Sequence, residues 1–122
     1  MKLNHLNLCV NDLSDAVVFF QNLFEFRLIE QKGTAIAVMD DLNGFTLVLS
    51  SMPARSDDNN QYPKDFHLGF YVSTTSEVDE FHKKLTGFGI GTDTTPKMIR
   101  GGYTLYFTAL EGILFEITCF EK

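Results

Sequence analysis

Cysteine is scarce in this chain. Cys9 and Cys119 are the only two among 122 residues, too few for a disulfide framework, so a reducing, cytoplasmic home is expected. Positive charge is scarce as well: ten Lys and Arg lie scattered against sixteen Asp and Glu, giving a formal net charge of −6 and a pI near 4.9. A nucleic-acid surface needs clustered Lys and Arg to neutralise phosphates, and no such partner is expected. Long apolar runs are also missing. No stretch reaches the roughly 20 residues of a membrane span, and the opening MKLNHLNLCVND carries no apolar segment long enough for a signal peptide. What the chain does have is apolar side chains in short bursts, twelve of them Phe, enough for a single compact domain of this length to bury a core without covalent staples.

The chain also repeats itself. Residues 5–26 overlay residues 67–88 without a gap, at a constant offset of 62, with identical pairs His5/His67, Leu6/Leu68, Val10/Val72, Ser14/Ser76, Phe19/Phe81, Leu23/Leu85 and Phe26/Phe88. A second echo sets NGFTLVLS at 43–50 against EGILFEIT at 111–118, Gly44 over Gly112 and Val48 over Glu116. Two copies of one supersecondary unit are implied.

Each copy reads as βαβββ. Leu6, Leu8 and Val10 alternate with His5, Asn7 and Cys9, and Leu68, Phe70 and Val72 alternate with His67, Gly69 and Tyr71, which is the period of a strand. Asp12 followed by Asp15, and Thr74 followed by Glu77, are helix-start signatures. Helices are expected over about 13–24 and 75–86, with Val17, Phe20 and Phe24, or Val78, Phe81 and Leu85, on their buried stripes. Further strands are expected at 26–31, 34–40 and 44–50, and again at 88–93, 102–109 and 112–119, with turns at Gly33, Asn43-Gly44 and Gly112. The expectation is an α+β domain over 1–122, with a first module at 1–50, a polar linker at 51–65 that is also a possible hinge for exchange between chains, and a second module at 66–122. The helices pack on the apolar strand faces, which leaves the histidine faces to enclose a cavity.

Glu116 stands in a strand with two mostly apolar faces, where a carboxylate needs a partner, a proton or a metal. Two histidines related by the repeat are natural partners. His5, His67 and Glu116 make a two-histidine, one-carboxylate set that suits a divalent first-row ion, whether iron, manganese, zinc or nickel, and leaves positions open for substrate. Tyr106 is a candidate catalytic proton donor or a packing aromatic. Arg100 in the hairpin MIRGGY is a candidate anion clamp or an exposed turn residue. Asn7, Cys9 and Tyr103 are candidate substrate contacts. His82, aligned with Phe20, reads as ordinary helix surface, and GFGIG at 87–91 reads as turn glycines rather than a phosphate loop.

Paired βαβββ modules with the landmarks HLNLCVNDL, FHLGFYV and YFTALEGILFEI resemble the vicinal oxygen chelate superfamily. That group includes glyoxalase I, bleomycin-resistance proteins, extradiol dioxygenases, methylmalonyl-CoA epimerase and fosfomycin-inactivating thiol transferases. The resemblance implies an open, cup-like curved sheet with helices outside, a homodimer, and His5, His67 and Glu116 as three of four metal-ligand positions. The fourth, a glutamate in glyoxalase I and the epimerase, is Val48 here, so true glyoxalase I activity is not expected. Asn7 replaces the hydroxyl or thiol residue usual two places after the first histidine in fosfomycin enzymes. The implied function is a metal-dependent lyase, dioxygenase or thiol transferase acting on a small oxygenated chelating molecule. The alternative is a metal-free protein of the bleomycin-resistance type that sequesters a ligand.

Overall fold

A computed structural model describes residues 1–52, 62–92 and 94–120. The elements run β1 (His5–Val10), α1 (Leu13–Phe24), β2 (Arg27–Lys32), β3 (Ile36–Asp40) and β4 (Thr46–Ser51), then β5 (His67–Tyr71), α2 (Thr75–Gly87), β6 (Lys97–Ile99), β7 (Gly102–Ala109) and β8 (Ile113–Cys119). This is βαβββ twice, in two compact units, Met1–Asn60 and Gln61–Lys122. The described strands form two separate four-stranded sheets, ordered β1-β4-β3-β2 and β5-β8-β7-β6. In each, the first strand lies parallel to the fourth and the other neighbours are antiparallel.

In the first unit α1 begins where its cap predicts, the Asp12 carboxylate accepting the Asp15 N–H at 3.0 Å. The helix buries Leu13, Ala16, Val17, Phe19, Phe20 and Leu23. Leu8, Val10, Ala37, Met39, Leu47 and Leu49 form the opposing buried layer of the sheet. Phe20 sits at the centre, its ring 5.1 Å from Phe19, 5.6 Å from Phe24 and 5.5 Å from Phe26. Burying such rings is the main favourable term in a unit this small. The layer fixes which way β1 faces: with Leu8 and Val10 turned to the helix, His5, Asn7 and Cys9 fall on the other side.

The second unit repeats the plan. The Thr74 hydroxyl accepts the Glu77 N–H at 3.2 Å, and α2 buries Val78 and Leu85. The helix-side core continues through Phe81 to Phe107 at 5.8 Å and from Phe107 to Phe115 at 5.3 Å. Leu105, Ile113, Ile117 and Cys119 complete it. The turn glycines Gly33, Gly44 and Gly112 all take the positive φ that favours glycine.

One strand is not where the pattern placed it. Instead of a strand at 88–93, the described residues there close α2. The N–H of Ile90 bonds the Leu85 carbonyl at 2.9 Å, and that of Gly89 bonds Thr86 at 3.1 Å. Gly89 sits at φ +88°. This is a glycine-terminated helix end. Its backbone donors are committed to the helix, so a ladder cannot use them, and the second strand of the unit, β6, forms at Lys97–Ile99 instead. The linker expected at 51–65 falls partly on described residues. Ser51 belongs to β4, Tyr62 stacks on Phe66 with centroids 4.3 Å apart, and 53–61 lie outside the described residues.

Candidate functional site

β8 is an interior strand of the second sheet, so its residues have neighbours on both sides. Glu116 pairs with Gly69 of β5 and with Tyr106 of β7. The face turned away from α2 therefore carries His67, Gly69 and Tyr71, then Leu114, Glu116 and Thr118, then Thr104, Tyr106 and Thr108. Gly69 adds no side chain beside the carboxylate, and a Cβ built there would meet nothing within 4 Å. The Glu116 side chain is 22% exposed and that of His67 is 42% exposed. The site is thus partly desolvated but reachable.

The carboxylate is held from several directions. Thr118 donates its hydroxyl to Oε2 at 2.7 Å, and the Tyr106 phenol stands near the same carboxylate from the paired position on β7. His67 Nε2 stands 3.7 Å from Oε1. Burial pushes the Glu116 carboxyl up, but the Tyr106 and Thr118 hydroxyls and the charges of His67 and Arg100 outweigh it, leaving it below the usual carboxylate range. An ionised carboxylate only accepts hydrogen bonds, so the two hydroxyls match that form. The Tyr106 phenol is pushed up, first by the acceptor Glu116 offers it, then by burial and the Glu116 charge. The nearby Arg100 guanidinium opposes this in part. Arg100 occupies a left-handed turn at φ +51°.

The imidazole of His67 has a defined tautomer. Its Nδ1 lies 2.9 Å from the Asp65 carbonyl, which can only accept, so Nδ1 carries a proton and, when the ring is neutral, the lone pair falls on Nε2, the atom facing Glu116. This is the usual preparation of a metal-binding histidine. A gap of 3.7 Å is too long for a hydrogen bond. It is close to the spacing of two atoms that each bind one ion at about 2.0–2.2 Å.

The first unit carries a matching histidine and lacks the acid. His5 Nδ1 donates to the Asn4 side-chain oxygen at 2.8 Å, which again leaves the lone pair of the neutral ring on Nε2. Val48 pairs with Asn7 and Val38, the register that Glu116 has with Gly69 and Tyr106. Asn7 accepts a hydrogen bond from Ser50 Oγ at 2.9 Å, and Cys9 lies half-buried on the same face. Among the described residues no group of three His, Cys, Asp or Glu side chains assembles to hold an ion.

Tyr103 parts company with the set. It lies three residues from Tyr106 on β7, hence on the opposite face, and donates its phenol to Asp79 of α2 at 2.7 Å. His82 is half-buried rather than plain surface, with Nε2 2.9 Å from Thr92 Oγ1. Sequence reasoning missed the Asp65 carbonyl, which no side-chain pattern reveals, and the hydroxyls of Thr104 and Thr118, which meet only once the β7–β8 register is known. A groove of about 510 Å³ beside the N-terminus of α1 involves none of these groups, being lined by Asp12, Asp15, Thr34 and Met52 among others.

The model of the Glyoxalase/Bleomycin resistance protein/Dioxygenase superfamily matches residues 2–117. The chain belongs to this superfamily. Within it, the metallothiol transferase FosB of Lysinibacillus sphaericus (strain C3-41) is 30% identical over 115 residues, 93% of this chain and 79% of that protein. A possible glyoxalase from Bacillus cereus superposes with a TM-score of 0.84 at 34% identity, covering 98% of this chain and 99% of that one. A variant of FosX, a fosfomycin resistance protein from Listeria monocytogenes, complexed with Mn(II) and 1S,2S-dihydroxypropylphosphonic acid, shares the fold. Its TM-score is 0.77 at 23% identity, over 97% and 88% of the two chains. The α+β architecture of two βαβββ units is that of the superfamily. No described helix is long and apolar enough to cross a membrane.

Proposed function

We propose that this chain is a divalent-metal-dependent enzyme acting on a small oxygenated, anionic molecule that chelates the ion, with thiol transfer the favoured reaction class. The observation that supports it most is the His67–Glu116 pair: an imidazole held through Nδ1 by a main-chain carbonyl, with Nε2 turned to a carboxylate oxygen 3.7 Å away. The proposed ligands are His5, His67 and Glu116. His5 is included on its place in the repeat and its matching tautomer.

A bound divalent ion supplies a positive centre that polarises a substrate oxygen. The chain supplies the rest. Tyr106, with Arg100 near its phenol, offers an O–H and a cation to a substrate oxyanion. Glu116 stays ionised with the Tyr106 and Thr118 hydroxyls beside it. Val48 leaves the first-sheet position equivalent to Glu116 without a carboxylate to abstract a proton from carbon, which argues against glyoxalase I chemistry and agrees with the similarity to a metallothiol transferase.

The test is turnover by Mn²⁺-loaded protein of three substrate types: an epoxide phosphonate offered with a thiol, a hemithioacetal of an α-oxoaldehyde, and a catechol. Thiol consumption with the first, lost in His67→Ala, supports the proposal. Tight binding without turnover of any of them supports the sequestering alternative.

A further inference from the structure

We infer that Thr118, backed by Thr104, is the positioning residue of this centre: it ties one oxygen of Glu116 and so presents the other, singly, toward His67. The inference rests on the metal-binding reading above and adds to it a specific role for two buried hydroxyls.

Geometry distinguishes the two carboxylate oxygens. Oε2 receives the Thr118 hydroxyl at 2.7 Å, while Oε1 is the one 3.7 Å from His67 Nε2. A hydroxyl has a single proton. The Thr118 proton is spent on Oε2, so its oxygen is left as an acceptor. Thr104 Oγ1 lies 3.2 Å from that oxygen and 3.1 Å from the Gly102 carbonyl. The single Thr104 proton has both oxygens as acceptors, and turned to Thr118 it extends a chain of two hydroxyls that ends on the carboxylate.

Burial shows that this pair is more than sheet decoration. Thr104 and Thr118 are each 3% exposed, and buried hydroxyls cost free energy unless they are bonded. The first unit provides an internal control. Ile36, 39% exposed, pairs with Ser50 there as Thr104 pairs with Thr118 here, so the strand register itself does not require two hydroxyls. Ser50, with Val48 as its neighbour on the same face, donates across to Asn7 instead. The hydroxyl pair occurs in the sheet that has a carboxylate to orient.

Holding Oε2 would leave only Oε1 of Glu116 for an ion. A bidentate carboxylate would fill a second coordination position, whereas a chelating substrate needs two open ones. Partners that orient a ligand typically change metal affinity 10- to 100-fold when removed.

The experiment measures Mn²⁺ affinity of the full chain, from the spectroscopic signal of free Mn²⁺, for wild type, Thr118→Val, Thr118→Ser and Thr104→Val. Urea unfolding in chelator runs alongside. Thr118→Val is expected to weaken binding about tenfold or more, Thr118→Ser to restore it, and Thr104→Val to weaken it by a smaller factor. If Thr118→Val binds as tightly as wild type, the positioning role is overturned and the metal centre stands. If Thr118→Val does not fold, Thr104→Val decides, and unchanged affinity there overturns the role. If wild type takes up no Mn²⁺, the centre itself falls and the role with it.

Discussion

Val48 and Glu116 occupy the same node of two matching sheets. Each pairs on one side with the residue two places after the histidine that opens its unit, Asn7 or Gly69, and on the other with an antiparallel neighbour, Val38 or Tyr106. One node is apolar and the other holds an ionised carboxylate with two hydroxyls beside it. Glu116 is therefore a local departure from an otherwise apolar sheet position, with its partners supplied by its own strand and the next.

Val48→Glu tests the apolar node. Val38 offers no donor, and the Asn7 side chain is already held through its oxygen by Ser50, leaving only its amide N–H groups for a new carboxylate. A half-buried carboxylate short of partners costs about 1–3 kcal/mol. Urea unfolding in chelator is expected to show that loss, and added Mn²⁺ to recover more stability in the variant than in wild type. An unchanged unfolding midpoint in chelator would show that the node tolerates charge unaided.

Glu116 makes stability depend on acid. Its carboxyl is held below the ordinary 4.5 in the folded chain, so its contribution is complete above the unfolded value and is lost as pH falls through the folded one. The stability gap between wild type and Glu116→Gln, measured in chelator, is expected to be flat between about pH 7 and 9 and to shrink below about pH 4. A gap independent of pH down to the acid limit would contradict the pairing. Tyr106 has the opposite sign: its raised phenol adds stability below its ordinary 10.0 that is lost as pH rises through the folded value.

Gly102→Ala reaches the site through the backbone. A Cβ there would lie 2.7 Å from the Thr118 methyl and 2.9 Å from the Phe120 ring. Overpacking of this kind costs about 1–3 kcal/mol. Because Thr118 is displaced directly, Mn²⁺ affinity is expected to fall together with stability, in contrast to Gly91→Ala, which meets open space.

Tyr103 and Tyr106 separate cleanly by kinetics. Tyr103→Phe removes a bond to exposed Asp79 on α2 and is expected to cost at most about 1 kcal/mol, with turnover unchanged. Tyr106→Phe removes the phenol O–H that stands near Glu116 and Arg100, so turnover is expected to fall at least about 100-fold, the lower range for a proton donor. Equal effects from the two variants would remove Tyr106 from the chemistry.

Much of this was legible in the sequence, for identifiable reasons. The helices were placed to within a residue because Asp12 and Thr74 cap them through their own side chains. His67, Tyr106 and Glu116 were legible as one face because the repeat fixes the register and parity fixes the side. The 88–93 strand was misplaced because apolar alternation around Gly89 imitates a strand, while the backbone donors there return to α2. Tyr103, a candidate substrate contact, shares the parity of Leu105 and Phe107, which puts it on the helix side beside Asp79. The Nδ1 partner of His67 is a main-chain oxygen, and backbone geometry is not written in side-chain order.

The most direct test of the central claim is metal content of untagged protein purified without chelator, for wild type and Glu116→Ala in parallel. The account predicts about one divalent ion per chain in wild type, the stoichiometry of a single three-ligand site, and its loss in the variant. Wild type that carries none, and takes up none when iron, manganese, zinc and nickel are offered, would contradict it.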